Sequence, residues 1–521
     1  MQLNKKNIHM EDTRCTATTQ VVIEEDIIVS DHNPDVRKII CEKGSIRIEE
    51  IKSTKDYLQV KGSMCVDLLY LTESDSRKIA KTSGMISFEE SLYMEGLQNG
   101  DHVQLHRELE YLTVGMINPR KLSVQACISF AASVDDVHDL EAAIEVEADH
   151  EIICKHRQVS ITELFVQKKD IFRMKEECEL PRNYPNILTV LWEQVTLGSV
   201  EFTPVGDKVL IQGEAKLFLL YEGDGEEVTL HSYESVLPFQ GEVECAGSLE
   251  DMILDVDYQL EHGEVEIRQD YDGEERVIGV DMALELFIRL YHDNVYELLE
   301  DAYGVEQEVI LEKEMTKAKV LQLHTCARCK IVERIHLRAS MPKMVEICNS
   351  HAQVELEDVV IGEEGLELAG KVKAKLLYST GEEMQPYQST VESIPFSYVM
   401  DAKPLQSTSH MKVKSTVAQV QTSMLDGEEV EVKVLLLFQA IVWSEQILEN
   451  VISVGEEIID PITLQELPSM VVYLAKEGDT LWDVGKRYYT PLAQLRERNG
   501  ITGDLQVGDK LLVVKSMATK I

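Results

Sequence analysis

The sequence predicts a mainly β protein: three homologous antiparallel β-sandwich-like repeats followed by a small βααβ domain. Three observations predict it. One strand motif recurs three times at fixed spacing, charged and apolar residues alternate through long stretches around each copy, and the C-terminal segment switches to helical spacing between two short apolar runs. With 521 residues and 44% apolar side chains, the chain is long enough for several domains with buried cores.

The repeats are expected at 20–155, 156–312 and 313–453. Each opens on a related strand-like segment, Gln20-Val21-Val22-Ile23, Gln158-Val159-Ser160-Ile161 and Lys319-Val320-Leu321, which is expected to lead into its domain and couple neighbouring repeats. The central motif follows. Gly62, Gly213 and Gly370 each precede a tyrosine by eight residues (Tyr70, Tyr221, Tyr378), and each tyrosine precedes a phenylalanine by eighteen (Phe88, Phe239, Phe396). Pro34, Pro185 and Pro342 stand 28 residues before those glycines, and the copies are offset by 151 and 157 residues. Later alternations such as Val430-Glu431-Val432-Lys433-Val434 read as strands wet on one face, and Asp272-Gly273-Glu274 and Asp426-Gly427-Glu428 as hairpin turns in which glycine supplies a positive φ.

Composition narrows the partners. The chain carries 51 basic against 93 acidic residues, a formal charge of −42, which repels nucleic acid and anionic lipid at long range. Wet sheet faces account for much of this surplus; the other readings are recognition of basic partner proteins or pairing of exposed edge strands between subunits. The N-terminal residues show no signal-peptide pattern and no run reaches the length of a membrane span, so a cytosolic protein is expected. Ten scattered cysteines fit reduced, buried thiols better than a disulfide framework.

A linker is expected at 454–469, where Gly455, Pro461 and Pro468 interrupt the periodicity. The last domain, 470–515, reads as strand, helix, helix, strand: an apolar run at 471–474, a Gly478-Asp479-Thr480 turn able to cap a helix bearing Leu481 and Val484, a second helix after Pro491, and a closing strand after Gly508. So small a domain has little core, and Leu481, Trp482, Leu495 and Leu512 are expected to fill it. Its charge departs from the rest: from 470 to 521 eight Lys/Arg stand against six Asp/Glu. That contrast points to a separate partner.

Catalytic patterns are missing. There is no phosphate loop, nucleophile elbow or His-Glu-x-x-His pair. Cys326-Ala327-Arg328-Cys329 with His324 lacks a second pair at zinc-finger spacing, so no metal, cofactor or catalytic residue is assigned.

Residues 470–515 resemble a LysM domain, through Gly478-Asp479-Thr480-Leu481-Trp482, Asn499 and Gly508. Together with the Gly-to-Tyr motif and the following phenylalanine, the domain order resembles the SipL-like, SPOCS-domain family of spore-coat morphogenetic proteins of endospore-forming Firmicutes. That resemblance implies a non-enzymatic scaffold in the mother-cell cytoplasm. Its LysM domain would reach the forespore surface through the stage IV sporulation ATPase, and the repeats would meet other coat proteins. For a protein partner the candidate residues are Lys486, Arg487, Tyr488, Arg496 and Arg498, because Arg and Tyr combine contact area with polar reach. For a cell-wall protein binding N-acetylglucosamine polymers, the family's groove falls on Gly478, Asp479, Thr480, Leu505, Gln506 and Val507.

Overall fold

The computed structural model describes residues 1–73, 78–225, 229–402, 405, 409–459 and 468–514. Repeat 1 contains β1 (Gln2–Ile28), β2 (Val36–Thr54), β3 (Tyr57–Thr72), β4 (Ile79–Tyr93), β5 (Gln104–Asn118) and β6 (Lys121–Glu147). Repeat 2 contains β7 (Ile152–Glu179), β8 (Ile187–Val205), β9 (Lys208–Gly223), β10 (Thr229–Glu244), β11 (Ile253–Gln269) and β12 (Glu275–Gly304). Repeat 3 contains β13 (Gln307–His336), β14 (Met344–Ile361), β15 (Gly365–Thr380), β16 (Tyr387–Asp401), β17 (His410–Met424) and β18 (Glu429–Ile458).

Every repeat builds the same two three-stranded antiparallel sheets, β2-β3-β4 and β1-β6-β5 in the first. Period-two alternation decides which side is buried: along β18, Val430, Val432, Val434, Leu436, Phe438, Ala440 and Val442 all face inward. In repeat 1 the inward residues of β3, among them Leu58, Val60, Met64 and Leu68, meet Leu122, Val124, Ala126 and Ile128 of β6. Each of these leucine, valine, isoleucine and methionine side chains contributes about 1.5–3 kcal/mol by leaving water, and the sandwich fold read from the sequence follows.

The spacing of the motif has a physical cause. Gly62, Gly213 and Gly370 lie directly across from Phe88, Phe239 and Phe396 in the β3–β4, β9–β10 and β15–β16 pairs. The rings occupy the space a side chain would need: a Cβ on Gly62 or Gly213 would come within 2.7 or 2.5 Å of the phenylalanine Cζ. The tyrosine closes the other end. Tyr70, Tyr221 and Tyr378 are buried and donate their hydroxyls to the carbonyls of Pro34, Pro185 and Pro342 at 2.9, 3.2 and 3.2 Å, which satisfies a polar group that burial would otherwise strand. One motif thus fixes both ends of the central strand.

The outer strands run past the sandwich. The first part of β1 pairs only with the last part of β6, and β7 with β12 and β13 with β18 make corresponding two-stranded arms. The arms meet one another through Met10 and Leu140, Ile161 and Tyr296, and Ala318 and Leu448. A second shared cluster joins Leu69, Leu220 and Leu377 from the three central strands. Lys43 donates to the Glu193 carbonyl at 3.5 Å, Lys216 to that of Ser350 at 3.4 Å, and Lys375 to that of Glu42 at 2.7 Å. Repeat 1 therefore reaches repeat 2, repeat 2 reaches repeat 3, and repeat 3 reaches repeat 1. The three form a pseudo-threefold ring.

The ring is also held by buried charge. Arg289 of β12 meets Glu11 at 3.2 Å and Asp135 at 3.2 Å from repeat 1, and Asp255 at 3.1 Å and Asp257 at 3.0 Å from its own repeat. Lys412 from repeat 3 lies 2.7 Å from both aspartates, and Lys414 also pairs with both. Burial alone would push the Asp255 and Asp257 carboxyls up, but Lys412 and Lys414 hold them well below the usual carboxylate range.

Several expectations shift. The strands divide the chain at 148–151 and 305–306, slightly before 155/156 and 312/313, and β1 starts at Gln2 rather than near residue 20, because the arms belong to the repeats. The segments expected to lead into the repeats are interior parts of β1, β7 and β13. Within the expected linker, 454–458 continue β18, while 460–467 lie outside the described residues, as does residue 515. Gly273 has the positive φ its turn needs, +85°. Gly427 does not have a positive φ; there the Asp426 carboxylate accepts the Glu428 and Glu429 amides at 2.7 and 2.8 Å and makes the turn itself.

Candidate functional site

The C-terminal domain follows as β19 (Met470–Leu474), α1 (Leu481–Arg487), α2 (Leu492–Asn499) and β20 (Lys510–Val514), with β19 and β20 paired antiparallel. Alternation along the strands turns Tyr473, Leu511 and Val513 inward against Leu481, Val484 and Leu495 of the helices. Thr480 caps α1 through a capping box: its hydroxyl accepts the Asp483 amide at 3.2 Å, and the Asp483 carboxylate accepts the Thr480 amide at 2.9 Å. Asn499 ties α2 to β20 by donating to the Leu512 carbonyl at 3.0 Å and accepting the Leu512 amide at 2.7 Å.

The two loops of the possible groove are neighbours because Gly508 donates to the Ala475 carbonyl and Ala475 to the Asp509 carbonyl, each at 2.9 Å. Gly478 and Gly508 hold φ of +86° and +93°, conformations that suit glycine. Gly478, Thr480, Gln506 and Val507 are exposed, and Asp479 and Leu505 half-buried. Asp479 serves the fold. It accepts the Tyr473 hydroxyl at 2.6 Å and the Lys476 amide at 2.9 Å, and the Tyr473 bond foremost holds its carboxyl below the usual range.

The five residues proposed for a protein partner separate. Arg496 and Arg498 are exposed on α2. Arg487 lies 5.8 Å from the centre of the Tyr473 ring and donates to its hydroxyl at 3.3 Å, while Tyr488 is half-buried against the domain core. Lys486 turns to repeat 2, with Nζ 2.8 and 2.7 Å from the two Asp301 oxygens. Trp482 does the same. It is buried, yet outside the domain's own core, donating its indole N–H to Asp301 at 2.9 Å and standing edge-on to Tyr303 with ring centres 4.9 Å apart. Leu512, also expected inside, is half-exposed because the β20 alternation turns it away from the helices.

Asp301 and Tyr303 had no signal in the local sequence. They act on residues more than 180 positions away, and Asp301 reads as one carboxylate among many. Cys326 and Cys329, three apart on β13, fall on opposite faces of the strand, one exposed and one buried. Among the described residues no three His, Cys, Asp or Glu side chains gather into a metal-holding group, and no helix is long and apolar enough to cross a membrane.

Comparison with protein families gives two matches. The model of the SipL, SPOCS domain matches residues 35–117, 186–268 and 343–425, and that of the LysM domain matches 473–514. The chain is a SipL-type SPOCS-domain protein with a C-terminal LysM domain. No curated protein and no solved structure matches it. Each SPOCS match covers the four strands β2 to β5 or their counterparts, and leaves the first and last strand of every repeat outside. The SPOCS repeats and the LysM domain make this a sporulation-related scaffold whose LysM belongs to a glycan-binding class of module.

Proposed function

We propose that the protein is a non-enzymatic scaffold of endospore coat assembly in the mother-cell cytoplasm. In this reading its LysM domain holds it at the forespore surface by binding the stage IV sporulation ATPase, and the SPOCS ring offers surface to other coat proteins. The ATPase, the compartment and the coat partners come from the family resemblance. What supports protein binding here is the LysM surface itself: Arg496 and Arg498 stand exposed on α2 of a domain with a small positive balance, in a chain whose formal charge is −42. Arginine on such a surface favours an acidic or polar protein face.

A second reading, peptidoglycan or another N-acetylglucosamine polymer, is favoured by the adjacency of the 478–480 and 505–507 loops, with most of their residues exposed. Calorimetric titration of the full chain at physiological salt separates the two. Binding to the purified ATPase, weakened by Arg496→Ala/Arg498→Ala and unaccompanied by heat with chito-oligosaccharides, is the expected result. Oligosaccharide binding without ATPase binding would move the protein to the cell wall.

A further inference from the structure

The LysM domain sits on one particular place of the ring. Asp301 and Tyr303 lie near the end of the β12 arm, just past a bulge between Leu299 and Asp301 in the pairing with β7. A bulge re-aims the side chains that follow it. Both side chains here point at α1. Asp301 takes the Trp482 indole and the Lys486 ammonium, and buried Tyr303 stacks edge-on against Trp482 and donates its hydroxyl to the Thr490 carbonyl at 2.8 Å. Gly485 makes the approach possible, since a Cβ there would stand 2.5 Å from the Tyr303 hydroxyl. Burial by itself would push the Asp301 carboxyl up, but its bonds to Lys486 and Trp482 hold it below the usual range.

The other two arms carry the same bulge, between the partners of Asn4 and Lys5 in repeat 1 and of Glu312 and Lys313 in repeat 3. Their residues are different. Where repeat 2 has Asp301 and Tyr303, repeat 1 has Glu145 and Glu147, and repeat 3 has Ser453 and Gly455. Repeat 1 offers charge without a ring, and repeat 3 offers neither. Only the middle arm can accept an indole N–H, pair with an ammonium and stack on the same indole.

We propose that the end of the β12 arm is a dedicated intramolecular seat for the LysM domain, chosen among three pseudo-equivalent arm ends by Asp301 and Tyr303. The seat withholds the Trp482–Lys486 face of α1 from other molecules and presents α2 and the two loops in one fixed orientation. A partner that needs the α1 face must compete with repeat 2. Lys486 therefore belongs to the seat rather than to the presented surface. This holds whichever partner the outward surface takes.

The test reads each side of the contact from the other, by hydrogen exchange and mass spectrometry on the full chain. Lys486→Ala changes a half-exposed side chain of the LysM domain and is read on residues 299–304; Asp301→Ala is read on residues 481–490. Both are expected to speed exchange roughly tenfold across the contact, the loss of a charge-assisted bond, while peptides over β19, β20 and the sandwich cores keep their protection. Tyr303→Glu, which copies repeat 1, is expected to release the domain as well although a carboxylate remains. Unchanged exchange across the contact in Lys486→Ala and Asp301→Ala would overturn the seat. Unchanged exchange in Tyr303→Glu would overturn the selection by the ring.

Discussion

The three sandwiches and the three arms are made by the same strands, yet they differ in how closely the repeats agree. In the sandwiches each copy keeps proline, glycine, tyrosine and phenylalanine at one spacing, because the contacts they make lie inside a single repeat. In the arms one copy breaks ranks at a time: Tyr296 stands in the shared cluster where the other two repeats have Leu140 and Leu448, and Ser453 follows the bulge where the other two carry the carboxylates Glu145 and Asp301. A repeat agrees with its siblings in the contacts it makes with itself and at the Leu69, Leu220 and Leu377 seam, and departs from them towards the arm ends, where one repeat alone meets the LysM domain. The arms are where this molecule became asymmetric.

The severest way to break the comparison is to remove the arms and their strands. A fragment limited to 35–117 contains β2 to β5 but lacks β6, and with it Leu122, Val124, Ala126, Ile128 and Phe130 from the core. It is expected to show no cooperative unfolding transition by circular dichroism, whereas a fragment of 1–147 keeps both sheets. A stable, cooperatively folding 35–117 would mean that the sandwich does not depend on its outer strands.

Next in size is the charge cluster where the repeats join. Arg289→Ala leaves Glu11, Asp135 and Asp255 buried with less compensation, and is expected to cost about 3–5 kcal/mol in urea denaturation. The same cluster gives the sign of the acid response. The Asp255 and Asp257 carboxyls are held below their ordinary value, so their stabilisation is complete above about pH 4 and lost as the pH falls through the folded-state values. Glu11, raised mainly by burial, acts in the opposite direction. Denaturation midpoints should therefore drop below about pH 4 in the parent and drop less in Lys412→Ala, which removes the leading partner of both carboxyls.

The smallest effect sharpens the sandwich side. Gly→Ala at the three motif positions should cost about 1–3 kcal/mol each by overpacking. Gly370→Ala should be the worst, since its Cβ would meet the Glu355 carbonyl oxygen at 2.2 Å, while Gly213→Ala meets the far end of the Phe239 ring at 2.5 Å. Thermal midpoints of the three single variants, measured side by side, check that order.

The same distinction separates what the amino-acid sequence records from what it does not. Repeats, β-sandwich character and the LysM domain were legible because alternation, turn residues and the Gly–Phe and Tyr–Pro spacings are recorded within short stretches of one repeat. The ring was not, since Lys43, Lys216 and Lys375 donate to backbone carbonyls of other repeats, and a carbonyl carries no residue signature. Trp482 departs from its expected place in the LysM core for a related reason. Its helical spacing suits a small core, and nothing near it records that Tyr303 supplies the better neighbour.

The cyclic order of the lysine contacts has a topological consequence. Two of the three seams are bridged by short connectors, 148–151 and 305–306, while the seam between repeats 3 and 1 is held without a peptide link, by hydrogen bonds from Lys375 and Lys373 to the Glu42 and Glu110 carbonyls and from Lys38 to the Gln388 side chain. The ring is thus a necklace closed by a clasp of hydrogen bonds rather than by its own string.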